Sequence, residues 1–249
     1  MSYLNGKAAT ALLLGCISLS ACLDRELKPL NPCLVSSVSR RVSVNNIDKV
    51  DILFSVDNSG SMAEEQNSLK SQFPKMITVL TTGMRTPNDP NPFPPTKDLH
   101  LAVVSTDMGA MGQVNVMGCD TNGGDDGRLQ NVPRGTIGCQ ASYPAFLAYV
   151  GGRDTPQQIA TDFACIAELG TGGCGFEQQL EAPFKALWPS VYIDERGNAQ
   201  RENPYTFLGN TPQQQLGRGD QLPPEGSKGF VRSDVNLGLS LLAVVLVTD

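Results

Sequence analysis

The chain has 249 residues, of which 40% are hydrophobic and 18% are charged, and it contains 25 glycines and 17 prolines. These values are typical of a globular protein of one large domain or two small ones, with long loops. The formal net charge of −6 argues against nucleic acid as a partner, because phosphates need a dense basic patch.

The N-terminus has the pattern of an export signal. Lys7 precedes the apolar stretch AATALLLGCISLS, which is too short to span a membrane as a helix. The following Leu19-Ser20-Ala21-Cys22 resembles the lipobox of bacterial lipoproteins. That resemblance implies cleavage before Cys22 and acylation of this cysteine, which would anchor the chain in a membrane. An ordinary secretory signal followed by an unrelated cysteine is the alternative.

Residues 1–21 are therefore the predicted signal peptide, and 22–46 are a mixed, polar segment that suits a lipidated tether. Leu23 follows the lipidated cysteine, and no aspartate occupies that position. Under the sorting rule of some bacterial lipoproteins, this favours the outer membrane over the inner one. The expected location is the cell envelope, with the protein anchored in the outer membrane and facing either the periplasm or the outside.

The first elements of the segment 47–249 are a strand and a helix. Residues 50–56 form a continuous apolar and β-branched run, which predicts a strand buried on both faces, as in a parallel sheet. After Met62 the apolar spacing becomes helical, and Pro74 is expected to kink this helix and Gly83 to end it. The predicted buried face of the helix consists of Met62, Leu69, Phe73, Met76, Ile77 and Leu80.

Three strands and two helices are expected after that helix. A Pro-rich loop, 86–98, leads to the apolar strand LHLAVVSTD, and residues 145–150 predict a short strand. Thr155 and Pro156 are the predicted N-cap and first residue of a helix that ends before the Gly-rich turn LGTGGCG. The last strand is LSLLAVVLVTD. Between that turn and this strand lies a third predicted helix, with the apolar face Phe176, Leu180, Phe184, Leu187 and Trp188.

This alternation predicts an α/β fold with a doubly wound, mostly parallel sheet and helices on both faces. The first and last strands are each followed by an aspartate, Asp57 and Asp249. In open α/β sheets, ligands bind beyond the carboxyl ends of the strands, where the strand order reverses. Both aspartates are therefore expected near a binding site.

Export also changes how the cysteines are interpreted. An oxidising compartment favours disulfides for the cysteines that lie outside the signal peptide and the lipid anchor. Nearness in sequence pairs Cys119 with Cys139 and Cys165 with Cys174, and it leaves Cys33 without a partner. Zinc binding is disfavoured, because the chain has no CxxC pair and a single histidine.

The segment DNSGS places small oxygen-bearing side chains directly after the first strand. Asp57, Ser59 and Ser61 supply carboxylate and hydroxyl oxygens, which are hard ligands suited to Mg²⁺, Mn²⁺ or Ca²⁺. Two hydroxyls add oxygens without adding charge, so a bound metal would keep a positive field toward an incoming carboxylate. A simple turn after the strand is the alternative interpretation.

A hydrophobic strand that runs into Asp-x-Ser-x-Ser resembles the metal-ion-dependent adhesion site of von Willebrand factor type A domains. That family adds a threonine from a Gly-rich turn and an aspartate after a later core strand, and Thr171 and Asp249 match these parts in order. The resemblance implies that Ser59, Ser61 and Thr171 bind the metal directly or nearly so. Asp57 and Asp249 are expected to act through water, and an acidic group of the ligand completes the metal's coordination.

The resemblance extends over 47–249 and implies a Rossmann-like fold with long loop insertions. In that family the fold continues beyond the aspartate that matches Asp249. We therefore expect the segment to be a partial type A domain of a longer polypeptide, with an apolar sheet edge left exposed.

Three functions are compatible with these residues. The favoured one is an envelope-anchored, metal-dependent binding or adhesion module, whose protein partner contributes an acidic residue to the metal. The second is a structural envelope lipoprotein with a degenerate, metal-free site. A hydrolase is disfavoured, because DNSGS has no second copy for an aspartic dyad and His100 is badly placed as the base of a serine hydrolase. No catalytic residue is assigned.

Overall fold

The structure is a computed structural model that describes residues 47, 49–113, 116–135, 138–193, 199–200, 205–219, 229–232 and 240–249. The predicted signal peptide, its lipobox cysteine Cys22, the tether and Cys33 lie outside the described residues. Within the described ranges, no helix is long and apolar enough to cross a membrane.

The described part of the chain has an α/β fold built on an open, four-stranded mixed sheet. In chain order the strands are β1 (Lys49–Val56), β2 (Asp98–Ser105), β3 (Leu147–Val150), β4 (Tyr192–Ile193), β5 (Ala199–Gln200) and β6 (Ser240–Val247). The main sheet has the order β3-β2-β1-β6, and β4 and β5 form a separate antiparallel pair. β1 is parallel to both β2 and β6, whereas β3 is antiparallel to β2. The helices are α1 (Ala63–Thr82), α2 (Pro156–Ala167) and α3 (Glu181–Leu187).

Both faces of β1 are buried, which explains its continuous apolar run. Alternate side chains of a strand point to opposite faces, so a run without polar alternation is stable only between two packed layers. On one face, the Phe54 ring packs 5.7 Å from Phe73 of α1 and 5.1 Å from Phe163 of α2, measured between ring centroids. On the other face, Leu53 lies in a second core with Ala182 and Ala186 of α3. The predicted first strand is confirmed.

Helix α1 follows the prediction closely. It ends at Gly83, whose φ of 75° lies in the left-handed region, and the Gly83 N–H donates to the Val79 carbonyl at 2.8 Å. Such a C-terminal glycine avoids the strain that a side chain would add. Pro74 lies inside the helix, which continues on both sides of it. The predicted start of α2 at Thr155 and Pro156 is also confirmed.

The predicted third helix is wrong in its length and its buried face. α3 begins only at Glu181, and Phe176 and Leu180 are 60% and 73% exposed. The chain before α3 bonds to the end of β2 instead, because the Gln178 N–H donates to the Thr106 carbonyl at 2.9 Å. This contact holds the segment outside a helix. The side chains that α3 buries are Ala182, Pro183, Lys185 and Ala186.

Both disulfides of the described chain differ from the pairing by nearness. Cys119 is bonded to Cys174, and Cys139 is bonded to Cys165. The cost of closing a loop grows only slowly with its length, so sequence distance discriminates poorly between partners. The tertiary fold determines the partners instead. Cys165 is buried in the core between the sheet and α1–α2, and Cys139 packs against that core. The prediction that these four cysteines form disulfides is confirmed, and their partners are corrected.

Strand β6 forms one edge of the main sheet and has the exposed apolar surface that was expected there. Its side chains are exposed on both faces of the strand over most of its length. Ala243 and Val247 still pack against the core that contains α1 and α2. The exposed residues are Leu241, Leu242, Val244, Val245 and Leu246.

A buried charged group lies within β1 and β2, away from the strand ends. Asp51 is fully buried and accepts hydrogen bonds from Arg232 Nε at 2.8 Å and from the Arg232 N–H at 3.2 Å. His100 stands opposite Asp51 in the parallel register, with its Nδ1 3.0 Å from the Phe230 carbonyl and 3.4 Å from Asp51 Oδ1. His100 is therefore a buried histidine with polar partners, as the sequence suggested.

This environment makes the stability of the protein depend on pH. Burial lowers the pKa of His100 below its ordinary value, so the folded state favours the neutral ring. Below pH of about 6.5 the unfolded chain binds a proton that the folded chain resists, and stability falls as the pH falls. The slope is at most about 1.4 kcal/mol per pH unit for one proton.

We expect His100→Gln to flatten the decline in unfolding free energy between pH 7 and pH 5.5, as measured by urea denaturation. Glutamine keeps a donor for the Phe230 carbonyl, and His100 is the chain's single histidine. An equal decline in both proteins would contradict this assignment.

Candidate metal site

The segment DNSGS lies at the carboxyl end of β1, between the ends of its two parallel neighbours. The Asp57 N–H donates to the Val247 carbonyl at the end of β6, at 2.9 Å. On the other side, the Thr106 N–H donates to the Val56 carbonyl at 3.1 Å. This edge is the place where ligands bind in open α/β sheets.

The segments that follow β1 and β6, each of which contains an aspartate, meet at this edge. Thr248 Oγ1 donates to Asp57 Oδ2 at 3.2 Å, so the chain after β6 contacts the Asp57 carboxylate directly. Asp249 follows Thr248 and is exposed, whereas Asp57 is only 1% exposed. The prediction that the two aspartates lie near one site agrees with this arrangement.

The two serines of DNSGS lie side by side. The Ser59 N–H donates to Asp57 Oδ1 at 2.8 Å, a local turn that aspartate side chains commonly stabilise. Ser59 Oγ and Ser61 Oγ are 3.2 Å apart, and Ser61 is exposed. Adjacent oxygens around an octahedral ion are about 2.9 Å apart for Mg²⁺ and about 3.3–3.7 Å apart for Ca²⁺. The serine spacing therefore fits two neighbouring ligands of one hard cation.

Thr171 lies in a turn that is fixed against DNSGS on both sides. Before it, the Gly170 carbonyl accepts a hydrogen bond from Gln66 Nε2 at 2.8 Å, and the same nitrogen donates to the Asp57 carbonyl at 2.9 Å. After it, the Gly173 N–H donates to the Asn58 carbonyl at 2.8 Å. Thr171 itself is exposed. The structure thus holds the turn that carries Thr171 against the backbone of Asp57 and Asn58.

The close approach at Gly173 requires a residue without a side chain. A Cβ at this position would lie 2.3 Å from Asn58 Oδ1, closer than real contacts allow. The Asn58 side chain is fully buried, and its polar atoms have no hydrogen-bond partner among the described residues. Gly173 therefore allows the turn to lie directly against DNSGS.

The end of β2 also supports the turn that carries Thr171. The Asp107 carboxylate accepts hydrogen bonds from the backbone N–H groups of Gly109 and Cys174. Burial raises the pKa of Asp107 above its ordinary value, and these hydrogen bonds oppose that shift. The disulfide of Cys174 with Cys119 adds a covalent tie.

The charge of Asp57 has no cationic partner in the part of the chain that the structure describes. Its carboxylate accepts the two hydrogen bonds from Ser59 and Thr248, and no lysine, arginine or histidine pairs with it there. Buried carboxylates are normally paired with a cation or coordinate a metal. The donor set thus fits a hard cation, with Ser59, Ser61 and Thr171 as neutral ligands and Asp57 and Asp249 as the charged groups.

The candidate site is not a classical cluster of metal-binding side chains. Across the described ranges, no group of three or more histidine, cysteine, aspartate or glutamate side chains could hold an ion. A site rich in hydroxyl groups differs from such clusters, because hydroxyls and water supply most of the oxygens.

Sequence reasoning missed several residues that shape this site. Thr248 adjoins a predicted ligand, and Gln179 Nε2 donates to its hydroxyl at 2.9 Å. Gln66 was detectable, because it lies four residues after Met62 and three before Leu69, within the apolar face of α1. A polar side chain in such a face normally has a buried hydrogen-bond partner.

No model of a known protein family matches the chain, and neither does any curated protein or solved structure.

Proposed function

We propose that the carboxyl edge of β1 and β6 binds a divalent cation, Mg²⁺ or alternatively Mn²⁺ or Ca²⁺. Ser59, Ser61 and Thr171 would hold it directly, with Asp57 and Asp249 acting through water. The observation that carries the proposal is the buried Asp57 carboxylate, which lacks a cationic partner in the described chain and lies beside two hydroxyls 3.2 Å apart.

The function we propose is a metal-dependent protein-binding or adhesion module of the von Willebrand factor A type. Ser61, Thr171 and Asp249 are exposed, so a partner can reach this edge from solvent. A bound cation would supply a positive centre for a carboxylate of that partner. The groups that would contact the ion directly are neutral and the two carboxylates act only through water, so a carboxylate of the partner would be the first charged ligand in direct contact with the ion.

The arrangement of the strands supports this family-level proposal. The unit β1–α1–β2 joins two parallel strands through a helix, and β6 adds a parallel strand on the other side of β1. A doubly wound fold reverses its strand order at such a point. Placement in the envelope, with a lipid anchor at Cys22 in the outer membrane, is proposed from the N-terminal sequence alone.

Thermal unfolding tests the metal proposal. With EDTA removed and Mg²⁺ or Mn²⁺ added at about ten times its dissociation constant, we expect about 1.4 kcal/mol of stabilisation, a rise of a few degrees in Tm. Asp57→Asn is expected to abolish this rise. Asp162→Asn is the matched control, because it removes a carboxylate from α2 and should leave the rise unchanged. A wild-type Tm that is indifferent to Mg²⁺, Mn²⁺ and Ca²⁺ would refute the proposal.

A further inference from the structure

Gln66 connects two segments of the candidate site that are far apart in sequence. Its side chain is buried in the first turn of α1, and Nε2 donates both of its hydrogens, to the Asp57 carbonyl at 2.9 Å and to the Gly170 carbonyl at 2.8 Å. The two acceptors are the first residue of DNSGS and the residue before Thr171. One amide nitrogen therefore sets the separation of the two segments that carry the hydroxyls.

We propose that Gln66 is a positioning residue of the metal site, which holds the Thr171 hydroxyl within reach of the cation bound by DNSGS. This inference rests on the proposed function. The role needs two donors on one atom, since both partners are carbonyls. Among side chains of this length only glutamine supplies such a nitrogen without a charge.

The other contacts of the turn do not replace Gln66. The bond from the Gly173 N–H to the Asn58 carbonyl and the disulfide of Cys174 both act on the side of the turn that follows Thr171. Gly170 lies on the side that precedes it, and its φ of 71° is accessible mainly to glycine. Arg134 Nη1 donates to the Leu169 carbonyl at 3.1 Å, and Leu169 is buried in the core, so the chain is held up to Leu169. Without Gln66, the Gly170 carbonyl loses its side-chain donor, and the segment between Leu169 and Gly173 is held less firmly against DNSGS.

The test is a double-mutant cycle on the affinity for Mn²⁺, measured by titration calorimetry on wild type, Gln66→Met, Thr171→Ala and the double variant. We expect Gln66→Met and Thr171→Ala each to weaken Mn²⁺ binding about tenfold. The double variant is expected to be no weaker than the weaker single variant, because a misplaced hydroxyl contributes nothing further. Asn67→Ala is the control, since this exposed neighbour bonds only within α1, to the Ala63 carbonyl.

A second readout needs no metal. In EDTA, hydrogen exchange at the Gly173 N–H should be faster in Gln66→Met than in wild type and should be unchanged in Asn67→Ala. If Gln66→Met does not fold, Gln66→Leu replaces it, because leucine also lacks a donor and adds no charge beside the site.

Each outcome of the cycle decides the inference. The inference would be overturned if Thr171→Ala lost affinity for Mn²⁺ and the Gln66 variant did not. It would also be overturned if the effects of the two substitutions were additive. Either result would leave the proposed function intact. Unchanged affinity in Thr171→Ala would also overturn it, because the hydroxyl would then not be a ligand. Absence of Mn²⁺ binding in wild type would refute both proposals together.

Discussion

Asp126→Asn is expected to lower the free energy of unfolding by about 3–5 kcal/mol, because it leaves the buried Lys185 and the partly buried Arg218 without their carboxylate. Lys185 of α3 is fully buried, and its Nζ lies 2.5 Å from Asp126 Oδ1. Arg218 pairs with the other carboxylate oxygen. Burial lowers the pKa of Lys185, and the hydrogen bond to Asp126 is the main effect that opposes this shift.

Asp126→Asn removes the negative charge of the side chain without disturbing the backbone. Asp126 has a φ of 55°, in the left-handed region, which asparagine tolerates as readily as aspartate does. Urea denaturation of the variant and wild type gives the difference in stability. The control is Glu168→Gln, which removes one partner of the half-exposed pair with Lys70 and should cost no more than about 1 kcal/mol. Equal, small losses of unfolding free energy in both variants would show that the ion pairs of Asp126 with Lys185 and Arg218 do not stabilise the fold as proposed.

The second large effect is expected from the disulfide between Cys119 and Cys174. Replacing both cysteines by serine should destabilise the protein by about 3–4 kcal/mol, because the bond closes a loop across 55 residues of sequence separation. The disulfide of Cys139 with Cys165 lies inside that loop and shortens it, which places the effect toward the lower value.

Comparison with a second double variant, in which Cys139 and Cys165 are replaced, separates the effect on stability from the effect on metal binding. The Cys119→Ser/Cys174→Ser protein loses the covalent tie next to the Thr171 turn, so its Tm should respond less to Mg²⁺ than the Tm of wild type does. The Cys139→Ser/Cys165→Ser protein should lose a similar amount of stability and keep the full response to Mg²⁺. Identical responses to Mg²⁺ in the two variants would contradict the assigned role of the turn.

The four strands of the main sheet were predictable from the sequence, whereas the short pair β4 and β5 was not predicted. Five of the seven residues at 50–56 are apolar, and only Asp51 and Ser55 are polar, which is typical of a strand buried on both faces. The end of α1 was predictable from Gly83, since few residues other than glycine adopt its φ. The aspartates that follow β1 and β6 could be placed near each other because parallel strands end at one edge of a sheet.

Contacts between distant segments could not be predicted in the same way. Phe176 and Leu180 have helical spacing with Phe184, yet the bond between Gln178 and Thr106 keeps this segment out of α3. The sequence gives no sign that Lys185 is buried, because its partner Asp126 lies 59 positions away in sequence. Disulfide partners also depend on tertiary packing, and sequence distance gave the wrong pairs.

The central claim is that one divalent cation binds where DNSGS, the Thr171 turn and the end of β6 meet. Crystals of the protein soaked in MnCl₂ would locate it through the anomalous scattering of manganese. We expect one strong peak within direct bonding distance of Ser59 Oγ, Ser61 Oγ and Thr171 Oγ1, and no such peak in Asp57→Asn crystals. A peak at other carboxylates, or no peak at saturating Mn²⁺, would contradict it.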